Sequence, residues 1–392
     1  MSGETRSVFI IAGEVSGDLL GASLMRALND RLGGGVRFQG VGGERMQKLG
    51  LVPLFSMEEL VVHGLQQALA RAPRLLRRIR ETAGAAVAAD PDVVVLVDAP
   101  GFNLRVAHAI RRLNPAIPIV DYVSPSVWAY FPGRARRMAP AVDQLMAILP
   151  FEPALHRTLG GPPTTYVGHP LLERLAALRP LPGERPPVAA ARKPPLLLVL
   201  PGSRRSEIGR LMATFGETVA VVAERHGPLE VILPAVPYLA AEIRDRVAGW
   251  AVQPTIVEGE VATYAAFRRA HAALAASGTV TLELALAGVP TVVAYKVEPF
   301  LRPLKGFLKV DSIVLPNIIL GERAMPEFLD GDAQPELLAA ALLLLLADTP
   351  QRQGQLDAFA RLDAAMALDR GTPSERAAEI VLSAMRNRPV AG

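Results

Sequence analysis

The sequence predicts an α/β protein of two Rossmann-like αβα domains, each a doubly wound parallel sheet, facing across a cleft that holds the site. Three observations lead there. Apolar runs rich in Val, Leu and Ile (7–12, 92–97, 117–123, 196–200) alternate with stretches of helical period, the rhythm of parallel sheets covered on both faces. The rhythm breaks at 179–195, where Pro180, Pro182, Pro186, Pro187, Pro194 and Pro195 mark a linker, and then restarts. At 392 residues the chain is also too long for one ordinary core. The expected divisions are 1–185, 186–348 and a closing segment, 349–392, that packs back on the first domain or on a partner subunit.

The first strand, 7–12, ends in Gly13-Glu14-Val15-Ser16-Gly17-Asp18, and Leu20, Leu24 and Leu28 set a helical period after it. The loop lacks GxGxxG spacing, which argues against a nicotinamide or flavin site. Strand 36–41 leads through Gly42-Gly43 to a short helix at Met46. In 65–79, Leu65, Leu69, Ala72, Leu75, Leu76 and Ile79 share one helical face, interrupted by Pro73. Arg71, Arg74, Arg77, Arg78 and Arg80 line the other face. A surface helix packed on its own domain and an interfacial helix meeting lipid phosphates both match this pattern. Strand 92–97 ends in Asp98-Ala99-Pro100-Gly101-Phe102-Asn103, and strand 117–123 enters a loop from Ser124 to Tyr130. Short strands follow at 145–149 and 164–167. Beyond the linker, 196–200 enters Pro201-Gly202-Ser203-Arg204 and a helix over 206–225. Later strands fall at 231–234, 255–257, 272–276 and 291–294, and helices at 337–347, 351–368 and 374–388 close the chain.

Half the residues are hydrophobic and 20% are charged, the composition of a packed globular chain. The absence of cysteine excludes disulfides, thiolate metal sites and cysteine nucleophiles, and suits a reducing cytoplasm. The six histidines show no metal-ligand spacing. Asp90-Pro91-Asp92 precedes its strand, and Asp330-Gly331-Asp332 sits in a polar loop, so neither DxD string suggests a metal; no metal and no cofactor are expected. A net charge of +4 is mild, but Arg71–Arg80 and Arg134, Arg136 and Arg137 form local patches that attract phosphates or anionic lipid. No aromatic-interleaved motif supports nucleic acid. Residues 1–6 run straight into a strand, so no secretory leader is expected, and the longest apolar tract, 337–347, is too short to cross a bilayer.

In open α/β sheets ligands sit outside the carboxyl ends of the strands, and the unusual loops all fall there. At 276–290, Ser277-Gly278-Thr279 separates an apolar strand from a helix. The free N–H groups of such a helix start suit a phosphate, and Glu283 in its first turns could reach ribose hydroxyls; a capped core helix is the alternative. Arg204 follows a glycine at a strand end and can make a forked contact to a diphosphate. Asp98 ends a buried strand, as a base with raised basicity or as the cap of the next helix.

The order and spacing of AGEVSGD at Ala12, GVGGERM at Gly40, VDAPGFN at Val97, YVSPSVWAY at Tyr122, YVGHPL at Tyr166, LPGSR at Leu200, SGTVTLE at Ser277 and LPN at Leu315 resemble the lipid-A-disaccharide synthases nearly end to end. These are inverting GT-B-type glycosyltransferases of Gram-negative bacteria. The resemblance implies UDP-2,3-diacylglucosamine as donor and 2,3-diacylglucosamine 1-phosphate as acceptor, giving the β-1,6 disaccharide 1-phosphate and UDP without a metal. It implies Asp98 as base, Arg204, Ser277, Gly278, Thr279, Glu283 and Asn317 around UDP, and Ser16, Gly17, Asp18 and Asn103 on the acceptor side. It further implies a cytoplasmic enzyme held peripherally on the inner membrane through the 65–80 helix, and a possible homodimer with exchanged C-terminal segments. Gly101, Ser126, Tyr130, Gln67 and Asp330 depart from the family pattern.

Overall fold

The computed structural model describes residues 5–60, 65–188, 194–297 and 311–388, with the backbone alone for 65–71. The chain forms two compact units: Met1–Leu172 with Leu368–Gly392, and Glu173–Ala367.

In the first unit, β1 (Arg6–Ala12), α1 (Val15–Arg31), β2 (Val36–Val41), α2 (Glu44–Gln47) and β3 (Val52–Pro53) form one half. The helix α3 (Leu65–Ala89) crosses to β4 (Val93–Val97), α4 (Pro100–Leu113) and β5 (Ile119–Tyr122). Then come α5 (Gly133–Met138), β6 (Gln144–Ala147), α6 (Glu152–Leu159) and β7 (Thr164–Tyr166). The strands pair in the order β3-β2-β1-β4-β5-β6-β7, all parallel. β4 is fully buried, as its unbroken apolar sequence requires. The expected strand 117–123 shortens at both ends: Pro118 has no N–H to give, and Val123 turns to a φ of 88°. The helix expected over 65–79 instead runs unbroken through Pro73 to Ala89. Ile79, Ala83 and Ala86 bury against the first core and carry it on, while Pro73 stands on the exposed side.

The second unit opens with α7 (Leu175–Leu178), β8 (Leu196–Leu200), α8 (Arg205–His226), β9 (Glu230–Ala235) and α9 (Ala240–Val247). It continues through β10 (Thr255–Glu258), α10 (Glu260–Arg269), β11 (Ala272–Ala276), α11 (Thr279–Leu286) and β12 (Thr291–Tyr295). α12 (Leu315–Leu320), β13 (Glu327–Leu329), α13 (Pro335–Leu345) and α14 (Pro350–Met366) complete it. The strand order is β10-β9-β8-β11-β12-β13, again all parallel.

The division falls at 172/173 rather than 185/186, because arginines fasten the proline-rich stretch to the second unit. Arg174 meets Glu260 at 2.8 Å, and Arg179 meets Asp363 at 2.6 Å. Arg185 donates to the carbonyls of Phe267, Arg268, Ala287 and Gly288, the open C-terminal ends of α10 and α11. Nor do the two closing helices travel together. α14 stays in the second unit, where Arg352 donates to the His271 and Leu345 carbonyls and Gln355 pairs with Thr291. Only α15 (Pro373–Arg386) returns, placing Ala377, Ala378, Val381 and Met385 in the first core.

Each sheet reverses its winding once, between β1 and β4 and between β8 and β11. At such a reversal the flanking loops part and leave a crevice beyond the carboxyl ends of the strands.

Candidate active site

At the β8–β11 reversal a cavity of about 410 Å³ is lined by Gly202, Ser203, Arg204, Ser277, Thr279 and Glu283, among others. Residues far apart in sequence thus meet in one place. Ser277 donates its hydroxyl to the Ile313 carbonyl at 2.7 Å, which fixes the turn. Gly278 precedes α11 with no side-chain cap; Thr281 N–H turns back to the Gly278 carbonyl at 3.1 Å, which leaves the Thr279 and Val280 N–H groups at the start of the helix. Glu283, half-buried on α11, has its carboxyl pKa raised by desolvation, while Arg174 and the Tyr264 hydroxyl at 3.5 Å pull it the other way. Tyr264 is in turn held by Arg174 at 3.2 Å. Sequence reading missed this Arg174–Tyr264 support, since neither residue sits in a loop of unusual composition.

Arg204 is more constrained than expected. Its Nη1 meets Glu207 Oε1 at 3.1 Å, although the side chain stays 76% exposed. The other oxygen of Glu207 accepts the N–H groups of Ser203 and Arg204 at 3.0 and 3.2 Å. Gly202 makes room for this: its φ is +111°, and a Cβ there would stand 2.4 Å from Glu207 Oε2. Asn317 is not at the cavity surface. It is 2% exposed, and its amide ties α12 to β13 through Met325 N, Met325 O and Glu327. Its amide nitrogen donates to Met325 O and Glu327, and its oxygen accepts Met325 N.

At the β1–β4 reversal Asp98 and Ala99 both adopt left-handed backbone, φ +54° and +45°, which costs about 1–2 kcal/mol each for residues with a Cβ. Three contacts impose it. Ser16 Oγ donates to Asp98 Oδ2 at 2.9 Å, and Ala99 N donates to Oδ1 at 2.8 Å. From beneath, Asn103 Nδ2 donates to the carbonyls of Asp98, Val97 and Ile11 at 2.7, 3.1 and 3.4 Å. Gly13 lets the two loops touch, because a Cβ there would lie 2.6 Å from that of Ala99.

The other acceptor-side expectations divide. Ser16 is exposed and touches Asp98, whereas Gly17 is buried under the loop. Asn103 is wholly buried and positions the Asp98 turn from behind. Asp18, only 5% exposed, accepts the N–H groups of Arg45 and Met46 at 3.1 Å and so caps the start of α2.

The sequence model of the lipid-A-disaccharide synthetase family matches residues 8–381. A Nitrobacter hamburgensis protein named lipid-A-disaccharide synthase is 52% identical over 384 residues, covering 97% of this chain and 96% of its own. The chain belongs to the lipid-A-disaccharide synthase family. Its fold is also that of more distant structures. An S. aureus MnaA–UDP co-structure is similar with a TM-score of 0.65 at 13% identity, covering 98% of this chain and 99% of that one. MurG of Acinetobacter baumannii gives 0.59 at 13% identity, with 96% and 99% covered. The chain is therefore a GT-B glycosyltransferase, of a family whose substrates are nucleotide sugars.

Two features outside the reversals complete the synthase's first unit. Ser124 Oγ and His156 Nε2 hydrogen-bond at 2.7 Å beside the buried Glu152, whose Oε2 accepts Leu149 N. Burial raises the Glu152 carboxyl to about 8 and lowers His156 to about 4. The trio has the residue types of a nucleophilic triad, but all three are internal and brace the loop that follows β5. On α3, Arg78 does not face outward: it holds Glu59 at 2.6 Å and Glu81 at 2.7 Å and lies 4.3 Å over the Phe55 ring. Leu75 packs on the core, while Leu76, Arg77 and Arg80 are exposed. The side chains of Leu69 and Gln67 lie outside the described residues.

Proposed function

We propose that this synthase joins UDP-2,3-diacylglucosamine to 2,3-diacylglucosamine 1-phosphate with inversion, forming the β-1,6 disaccharide 1-phosphate and UDP. The observation that carries the reading is Asp98, held in a strained turn at the strand reversal by Ser16 and Asn103. Asp98 takes the proton of the acceptor 6-hydroxyl as that oxygen attacks the anomeric carbon of the donor. The bond to UDP breaks, and its electron pair leaves on the diphosphate. Arg204 turns from Glu207 to the departing diphosphate, joined by the Thr279 and Val280 N–H groups at the start of α11. Glu283, ionised, accepts the ribose hydroxyls.

The exposed Leu76, Arg77 and Arg80 support peripheral binding of α3 to the inner face of the inner membrane, where the acylated substrates reside. Among the described residues no helix is long and apolar enough to cross a membrane.

The deciding experiment is mass spectrometry of products from the two diacyl substrates. A disaccharide 1-phosphate formed only when both are present is the expected result. UDP release or epimerised donor without acceptor would overturn the reading.

A further inference from the structure

Three arginines of the first unit gather on α4 and α5, the first of them reaching back to the segment that follows Asp98. Arg105 lies on α4, and its Nη1 donates to the Gly101 carbonyl, three residues beyond Asp98. Arg134 and Arg137 lie on α5, which is tied to α4 where His108 Nε2 meets the Arg137 carbonyl at 3.0 Å. Arg134 is half-buried, with its guanidinium carbon 5.8 Å from the Phe131 ring centroid. Burial, followed by the like charges of Arg137 and Arg105, lowers its pKa. Among the described residues none of the three forms an ion pair. Arg111, further along α4, does: it meets Asp143 at 2.6 Å.

Like charges gathered without a counter-charge repel one another, and an anion removes that penalty. A phosphate monoester carries nearly two negative charges and several acceptor oxygens, matched to forked guanidinium donors. The surroundings leave it space, because nothing lies within 4 Å of where a side chain on Gly101 would begin. Tyr130 and Phe131 are 54% and 68% exposed on the adjoining loop, an apolar rim suited to acyl chains.

We propose that Arg105, Arg134 and Arg137 form the subsite for the acceptor's phosphate monoester and so present its sugar hydroxyl to Asp98. The inference rests on the reading of the first unit as the acceptor side. Anionic lipid headgroups offer the same phosphate chemistry, so the test separates the two sources.

Wild type, Arg134→Ala/Arg137→Ala, Arg134→Lys and Arg136→Ala proteins are assayed in neutral detergent micelles. Each receives the acceptor with and without its 1-phosphate. Binding to vesicles of phosphatidylglycerol and phosphatidylcholine is measured separately, and thermal melts confirm folding. The double variant is expected to raise the KM for the phosphorylated acceptor at least about tenfold, the scale of one lost charge-assisted hydrogen bond. Its donor KM and its turnover of the dephosphorylated acceptor stay at wild-type levels. Arg134→Lys recovers part of the loss, and Arg136→Ala, whose side chain lies toward Gly160, changes nothing. An unchanged preference for the phosphorylated acceptor in the folded double variant overturns the proposal. It is equally overturned if only vesicle binding falls, because the cluster then serves lipid headgroups. A wild-type protein that turns over neither acceptor instead overturns the reading of the reaction itself.

Discussion

At the β1–β4 reversal an acid is clamped from three sides in a strained turn, whereas at the β8–β11 reversal the cation is exposed and rests on a neighbouring carboxylate. The topology is the same and the demands differ. Ser16, Ala99 N and Asn103 hold Asp98 against its backbone preference, and in the proposed reaction that fixes the base where the proton will be. In the proposed reaction the cation must be released to the diphosphate, and the Arg204 guanidinium is 76% exposed although its partner Glu207 is buried. Glu207 holds Arg204 and its loop, and in the proposed reaction it stands in for the diphosphate until UDP arrives.

The sharpest break of this contrast is Asp98→Asn. It keeps the shape and removes the base, so kcat is expected to fall about 10²–10⁴-fold with an unchanged melting temperature. Near-normal turnover of the folded variant would remove Asp98 from its role. Arg204→Ala tests the opposite pole: donor KM is expected to rise about 10–100-fold, since hydrogen bonds to charged groups are worth about 1.5–3 kcal/mol, while acceptor KM holds. If both constants moved together, the two poles would not be separate. Asn103→Ala removes the support rather than the base. A stability loss of about 1–3 kcal/mol with a fall in kcat at constant KM is expected. A stability loss without any kcat change would show that the turn holds its form unaided.

A smaller effect concerns pH. Glu152 is held near 8 when folded against an ordinary 4.5, so folding takes up a proton between those values. Stability of the first unit therefore falls as pH rises from about 4.5 through 8, and Glu152→Gln should flatten that slope. His156 and His169, lowered to about 4 by burial, act at the other end: their contribution is lost as pH falls from 6.5 toward 4. Melts at pH 6 and 8.5 that coincide for the parent protein would refute the Glu152 assignment. The smallest effect is expected for Leu76→Ser, a few-fold weaker vesicle binding with folding intact, read by co-sedimentation. Unchanged binding would return α3 to an ordinary surface helix.

The local chemistry of the chain was legible: both βα rhythms, the loops at strand ends, and Asp98, Arg204 and Glu283 as side chains in them. β3 and β13 were not: β3 is two residues with a proline in it, and β13 is three residues behind Pro326, so neither reads as an apolar run. Asp18, Asn103 and Asn317 were in recognisable motifs, yet their partners turned out to be this chain's own backbone. A polar side chain in a loop satisfies a ligand or a buried N–H equally well, and its motif looks the same in both cases.

By itself, then, the sequence determined what hydrophobic period and loop composition encode: two parallel sheets, their order of elements, and the family that carries the reaction. The tertiary structure alone decided which polar groups remain free. Asp18 finds its first backbone donor 27 residues away, Ser16 meets Asp98 across 82, and Arg105, Arg134 and Arg137 come together from two helices with no ion pair of their own among the described residues. Burial and charge compensation are settled between distant segments, and only packing brings those segments into contact.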